Sequence, residues 1–501
     1  MKQANGTSQA ASSDAWRRWS GLVYLLFFLS GLTSLVYEVI WVRKFGLVFG
    51  VSTYAVSTVL AAFFFGLAIG SYLAGRIIDR TRLHPLAVYG GMEGIVGVYA
   101  LLLPLLLRLT EASYPSVYSA IGESFSLFTL FRFLICFVLL VIPTTLMGAT
   151  LPVLSKLMVD REAVLGLSVG RLYAINTFGA VTGSASAGFL LIPVLGVPST
   201  TLVAAIGNFA LAATALLLAR LPAFQAAPAA AQAEAARPSA PVGRSERIIL
   251  MLAFTAGLCA LALEVVWTRS LVLILGSTTY AFTTMLTAVL VGIALGSAVF
   301  SRYADQLQNR AALVAALLFT GGLCASLGPA IVNSLPSIYL RLTDWAGGVW
   351  WLVIAAQFVV CFVLVFVPTF LSGASFPILV RMYSRGAERV GRTVADVYAV
   401  NTVGGILGSL IGGFVLVKFL GLVSALTIAA LLLMLVGGPL AMALAKPWPR
   451  ALRAGTAGVM AAAVVALAFA HPRFETKLLF GSWGPFAGGY YASRMGGTIL
   501  D

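Results

Sequence analysis

The sequence predicts an all-α membrane protein built from two parallel six-helix repeats plus a thirteenth helix. Three observations carry this prediction. The 501 residues are 60% hydrophobic and only 10% charged, whereas soluble domains are about a quarter charged. The apolar residues fall in blocks of about 20, the length of a helix that crosses a bilayer. The first half of the chain also returns in the second half. A disordered chain is excluded, because it needs low hydrophobicity.

The repeat has an offset of 226 residues in its early part and 225 in its later part. Each half holds six apolar blocks, and an even number of spans makes the two halves parallel in the membrane. A stretch between them is rich in Ala and Pro, which is typical of a flexible linker. The predicted organisation is a tail at 1–20, the first repeat at 21–220, the linker at 221–246, the second repeat at 247–445, an extra helix at 446–470 and a C-terminal tail at 471–501.

Net charge is +15, from 32 Lys and Arg against 17 Asp and Glu. Most of these cations, among them Arg76, Lys156 and Arg381, lie in connections that follow even-numbered blocks. Positive connections stay in the cytoplasm, so we expect a cytoplasmic N-terminus in a bacterial-type inner membrane. This placement favours a bilayer over nucleic acid as the partner. Neither the four cysteines nor the two histidines have metal-ligand spacing, so we expect no metal and no cofactor.

Two six-helix repeats joined by a linker resemble the major facilitator superfamily. Between the second and third blocks, Gly75, Asp79 and Arg80 are similar to the G-x-x-x-D-[RK] signature of that superfamily. The second copy keeps the acid as Asp305 but departs from the signature at Ser301 and at position 306. The resemblance implies a facilitator fold, in which blocks 1, 4, 7 and 10 line a central cavity.

Residues 30–71, 142–154 and 170–189 look like the membrane part of fused facilitator/spermidine synthase proteins. This resemblance covers about residues 20–470. In that family a soluble aminopropyltransferase-like domain follows the helices, and residues 474–501 resemble only the entry to it. The family's catalytic residues therefore have no matching positions, and we expect no enzymatic activity in this chain.

Acidic residues within spans are functional candidates by default, because a buried charge is costly in a bilayer. Glu38 and Glu264 occupy matching places in blocks 1 and 7. They are interpreted either as partners of Arg43 and Arg269, or as a symmetric pair that binds a cation or a proton.

A third acid, Glu93, has no acidic partner in the second half, where Thr320 or a neighbour takes its register. It is interpreted either as a functional group that breaks the symmetry or as a satisfied carboxylate among glycines. Arg132 and Gln357 are also related by the repeat. A clasp between Arg132 and Glu38 is favoured over a solute site.

Proline and glycine recur at matching places in blocks 4 and 10, and proline removes a backbone donor. We expect these blocks to be interrupted, either at a binding or gating site or at a simple kink. Asn176 and Asn401 are expected to hydrogen-bond the carbonyls that the prolines free. The predicted gate residues are Pro143, Gly148, Pro152 and Asn176 in the first half and Pro368, Gly373, Pro377 and Asn401 in the second.

The leading hypothesis is a facilitator-like transporter for a small cationic solute, such as a polyamine. Glu38, Glu264 and Glu93 would supply the negative charge. The alternative is a non-catalytic membrane anchor that works with a separately encoded aminopropyltransferase-like subunit. A third interpretation is a nonfunctional truncation.

Overall fold

A computed structural model describes residues 2–49, 53–81, 83–121, 124–159, 164–221, 243–276, 278–384 and 389–444, together with 458, 461 and 462. The first half contains α1 Lys2–Phe49, α2 Thr53–Ile78, α3 Pro85–Ile121, α4 Phe125–Met158, α5 Leu165–Ser186 and α6 Ile192–Ala219. The second contains α7 Arg244–Leu275, α8 Thr279–Ala304, α9 Arg310–Ser326, α10 Gly328–Ala346, α11 Trp350–Met382, α12 Val390–Leu410, α13 Gly421–Leu432 and α14 Gly438–Met442. Three π-helical segments join neighbours at Ala187–Leu191, Ile411–Leu420 and Leu433–Gly437.

The described residues hold nine helices long and apolar enough to cross a membrane, or ten when the bent pair α9 and α10 counts as one span. Two of the nine are 55 and 53 residues long. A helix of that length would extend about 80 Å, well beyond a bilayer core of about 30 Å. Each contains a glycine with positive φ, Gly196 at 74° and Gly421 at 77°. Counting the bent pair as one span and each of these two helices as two gives twelve spans among the described residues, the number predicted for the two repeats.

The chain reverses its direction at the first of these glycines. Before it, Gly183 of α5 packs against Leu32 of α1, and after it, Gly207 of α6 packs against the adjacent Thr33. The segments before and after Gly196 both contact the same turn of α1. The chain must therefore leave this level and return to it, so the two segments run antiparallel. The α5–α6 segment is therefore a hairpin of two spans.

The sequence repeat is also a repeat of helix contacts. A Cβ added at Gly31 would lie 2.1 Å from the Asn176 carbonyl oxygen, and one added at Gly257 would lie 1.9 Å from that of Asn401. Small residues allow such close approach between spans. Four further pairs follow the same pattern: Gly66 and Gly292, Gly70 and Gly296, Gly179 and Gly404, and Gly183 and Gly408. The predicted architecture of two equivalent halves is confirmed.

The predicted interruption of the proline-containing blocks is wrong. The helices α4 and α11 run continuously through Pro143, Pro152, Pro368 and Pro377. At Pro143 the missing donor leaves the carbonyl one turn earlier without its helical partner. The Tyr99 hydroxyl of α3 donates to that carbonyl, on Leu139, at 2.8 Å. At this proline, a neighbouring helix therefore supplies the missing donor.

Two other predicted segments differ from, or lie outside, the described structure. The first helix begins at Lys2, so the predicted tail at 1–20 continues α1. Residues 222–242 of the linker and the thirteenth block, apart from positions 458, 461 and 462, lie outside the described residues.

Candidate functional site

A cavity of about 220 Å³ lies between the two halves. Its wall is formed by α1, α2, α4 and α5 from the first half and by α7, α8, α11 and α12 from the second. We call it the central cavity. A larger crevice of about 390 Å³ between α1 and α6 is almost wholly apolar, and its wall includes the exposed Leu25 and Val203. That crevice opens to the outside of the bundle, so the central cavity is the candidate site.

Glu38 and Glu264 both line the central cavity. Glu38 is 7% exposed and Glu264 is half-buried. Neither is ion-paired to a described side chain, so the interpretation in which Arg43 and Arg269 neutralise them has no support. The described part of the wall also contains no Lys, Arg or His. The cavity therefore carries acidic groups without a built-in counter-charge.

Several of the remaining polar groups of the wall come in equivalent pairs, among them Tyr173 with Tyr398 and Asn176 with Asn401. The asparagines do not bond the carbonyls freed by the prolines, and that prediction is wrong. The Asn176 side chain donates to the Phe27 carbonyl of α1 at 3.0 Å, and Asn401 donates to the Ala253 carbonyl of α7 at 2.9 Å. Because Gly31 and Gly257 allow α5 and α12 to approach so closely, the amides reach these carbonyls instead.

Glu93 lies outside the central cavity, buried between α1, α3 and α6. Its carboxyl accepts hydrogen bonds from Ser30 at 2.5 Å and from Asn208 at 2.7 Å. The Tyr37 hydroxyl in turn donates to the Asn208 amide oxygen at 3.2 Å. We call these four residues the polar network. Of the two interpretations of Glu93, this geometry favours the satisfied carboxylate.

The predicted pair Arg132 and Gln357 does not meet at the cavity. The Gln357 amide is buried against α10, where it donates to the Tyr339 hydroxyl at 3.2 Å, and it is not part of the cavity wall. The Arg132 side chain lies outside the described residues. The clasp between Arg132 and Glu38 stays a prediction.

The residues of the loop signature join the two halves where α2 and α8 end, which we call the latch end. One carboxyl oxygen of Asp79 accepts the backbone N–H of Arg392 at 2.9 Å, and the other lies 3.4 Å from the Lys156 ammonium. Asp305 accepts the N–H groups of Gly166 and Leu167 at 3.1 and 2.8 Å. Both aspartates therefore cap a helix N-terminus, where backbone N–H groups lack helical partners.

The two caps are crossed between the halves. Asp79 belongs to the first half and caps α12 in the second, whereas Asp305 belongs to the second and caps α5 in the first. A cation stabilises each aspartate, since Arg381 lies 2.9 Å from Asp305 as Lys156 lies beside Asp79. Burial nevertheless raises the pKa of Asp79, although Lys156 and the backbone N–H of Arg392 act in the opposite direction.

Close helix packing at the latch end explains why the signature contains a glycine. A Cβ at Gly75 would lie 2.2 Å from the Cβ of Ala395 in α12. In the second copy the glycine lies on the other helix of the pair, because Ser301 of α8 faces Gly170 of α5. This exchange explains why the second copy tolerates a serine. Arg80 is exposed beyond the helix end.

Several of these residues were not among the predicted site residues. Lys156 and Arg381 were interpreted only as topology signals, although they match at the offset of 225 and the repeat could have identified them. Ser30, Tyr37 and Asn208 have apolar counterparts in the second half, so the repeat carried no signal for them.

The halves also touch at the opposite end of the bundle. The two π-helical segments after α5 and α12 bring Gly188 against Thr283 and Gly413 against Ser57. Contacts between the halves therefore exist on both sides of the central cavity.

No protein-family model matches the sequence, and no curated protein matches it significantly. Among solved structures, the crystal structure of the human organic anion transporter MFSD10 (TETRAN) is similar with a TM-score of 0.53 and 14% identity, over 85% of this chain and 99% of that one. A single-residue variant of the E. coli fucose:proton symporter FucP is similar with a TM-score of 0.50 and 15% identity, over 85% of this chain and 98% of that one. At these identities the likeness concerns the fold. The chain is thus a multi-pass α-helical membrane protein with the fold of major facilitator superfamily transporters, as the sequence predicts.

Proposed function

We propose that this protein transports a small organic cation across the membrane and binds it between Glu38 and Glu264 in the central cavity. The observation that carries the proposal is the charge of the cavity wall, which has two carboxyl groups and no basic side chain among its described residues. A bound cation would supply the counter-charge that a buried carboxylate needs. The cavity is smaller than drug-sized pockets, which begin at about 300 Å³, so the solute is small.

The acidic wall also bears on the kind of solute that this chain would bind. MFSD10 is described as an organic anion transporter and FucP as a fucose:proton symporter. Two carboxylates repel an anion. A neutral sugar would not neutralise their negative charge. A diamine fits better, because its two ammonium groups match two carboxyl groups, and a longer polyamine offers the same pair.

Contacts between the halves on both sides of the cavity suit alternating access. In this conformation the crossed caps hold the latch end closed, and opening requires the aspartates to leave the helix ends that they cap. We place the latch end on the cytoplasmic side of a bacterial-type inner membrane, as the positive charges of its connections favour. The N-terminus then lies in the cytoplasm.

The test is uptake and binding of putrescine and spermidine by the full chain in proteoliposomes. The variants are Glu38→Gln, Glu264→Gln and the double variant, with the exposed Glu111→Gln as matched control. A hydrogen bond to a charged group contributes about 1.5–3 kcal/mol, so each single variant should weaken binding about tenfold or more. Unchanged uptake in the double variant would show that the proposal is wrong.

The same preparation distinguishes transport from the alternative function, which is that of a non-catalytic membrane anchor. A membrane anchor would bind no polyamine in the central cavity and would instead co-purify with a separately encoded aminopropyltransferase-like subunit. Wild-type binding that depends on both glutamates would contradict the anchor interpretation.

A further inference from the structure

The polar network of the first half has an apolar counterpart in the second. The repeat places Ala256, Leu263 and Leu433 at the positions of Ser30, Tyr37 and Asn208. Helix contacts identify the fourth position, because Gly97 packs on Phe209 as Gly322 packs on the equivalent Met434. Leu318 therefore takes the place of Glu93, a register two residues earlier than Thr320.

These four apolar residues line a pocket of about 50 Å³. We call it the side pocket, and its wall also includes Trp267, Gly321 and Pro368. In the first half the same place is filled by hydrogen-bonded polar side chains. The apolar side chains that face an unfilled space lack packing contacts on that side. An apolar group that entered it would restore those contacts.

The side pocket adjoins the central cavity beside Glu264. Six residues line both spaces: Ala260, Leu261, Glu264, Val289, Ile293 and Ser372. Trp267 follows Glu264 by one helical turn and lines only the side pocket. A carboxyl group and an aromatic ring are the two groups that attract an alkylated ammonium, and both lie at this junction.

We propose that the side pocket is a subsite for a short apolar substituent on the nitrogen of the transported cation. The substrate class is then an N-alkylated ammonium ion, bound through its nitrogen at Glu264. The inference rests on the proposed function, since it extends the same site. About 10–15 Å³ of such space holds one small group, so the side pocket takes roughly three to five non-hydrogen atoms. The polar network leaves no such space in the first half, so the solute binds in one orientation.

The test measures binding of putrescine and of its N-methyl, N-propyl and N-hexyl derivatives to the purified full chain by calorimetry. Each methylene buried in an apolar site strengthens binding about fourfold. Wild-type affinity should rise from putrescine to the N-propyl derivative and fall again at N-hexyl. Leu433→Ala, which enlarges the pocket, should move the optimum to a longer chain.

Gly321→Ala is the decisive variant, because its new methyl group would lie 3.7 Å from Leu433 and 3.8 Å from Leu371 without displacing either. It should weaken N-propylputrescine binding about fourfold or more and leave putrescine binding unchanged. The control is Gly94→Ala in α3, where the added Cβ would lie 3.6 Å from Ala212.

The failures of the two proposals differ in this experiment. If putrescine binds and alkylation gives no gain, or if Gly321→Ala weakens every cation equally, the subsite is wrong and the transport proposal stands. If no cation binds to wild-type protein at all, both are wrong.

Discussion

The two halves of this protein share their helix contacts but differ in what fills one interior space. Glycines at equivalent positions bring the same helices together in both halves. Between α1, α3 and α6, however, the first half places the polar network, whereas the second half leaves the side pocket. The comparison teaches that the repeat preserves backbone geometry strictly, while side chains away from the helix contacts are free to diverge.

The latch end shows the same division. The crossed aspartate caps occur twice, but the ion pair between Arg76 and Asp396, at 3.0 Å, occurs once. The equivalent positions in the other copy are Arg302 and Arg171, which are both cations. The caps that hold the halves together are therefore present in both copies. The outer ion pair is present in one copy, and it contributes little because it is partly exposed.

The largest effect should come from the shared helix contacts. Gly179→Ala and Gly404→Ala would each place a Cβ about 2 Å from a backbone carbonyl oxygen, on Phe28 and Phe254 respectively. Overpacking costs about 1–3 kcal/mol or more, and backbone cannot move aside as a side chain can. Both variants should lose most folded protein to a similar extent, as measured by thermal unfolding in detergent. Gly91→Ala, which meets nothing within 4 Å, is the control, and tolerance in one half alone would break the equivalence.

A smaller effect on stability should distinguish the polar network of the first half from the side pocket of the second. Glu93→Leu would leave Ser30 and Asn208 without their buried acceptor, at about 1–3 kcal/mol for each unsatisfied group. Glu93→Gln keeps an acceptor and should be milder. Leu318→Gln, at the equivalent place, would bury an amide beside apolar residues and should destabilise more than Glu93→Gln. Equal melting temperatures for the two glutamine variants would show that the halves do not differ here.

The smallest effect concerns the latch end and pH. Because burial raises the pKa of Asp79, the closed latch binds a proton more tightly than a water-exposed aspartate does. The closed state is then stabilised as the pH falls towards that pKa, and it loses this stabilisation as the pH rises above it. Hydrogen exchange of the capped Arg392 and Leu167 amides should report the opening, and both should show this pH dependence because the two caps open together.

In Asp79→Ala that pH dependence should disappear, and loss of the cap should destabilise the closed state by about 1 kcal/mol. If the Leu167 amide, which keeps its cap on Asp305, still shows the pH dependence in the variant, the pH effect belongs to another group.

The fold was readable from the sequence because hydropathy and the repeat are long-range patterns that many residues share. The position of Glu38 and Glu264 followed from the same repeat. The partners of Asn176 and of Glu93 did not, since they depend on which helix faces which across a distance of a few ångströms. The new partner of the Leu139 carbonyl also could not be predicted, because the Tyr99 hydroxyl that replaces the donor missing at Pro143 comes from another helix.

The crossed caps have a consequence for how the molecule can move. Each half holds the first amides of a helix that belongs to the other half. Separation of the halves at this end therefore uncaps α5 and α12 in one event, and neither helix can be released while the other stays clamped. We therefore expect opening to be a cooperative two-state transition, in which an intermediate with one intact cap is not populated.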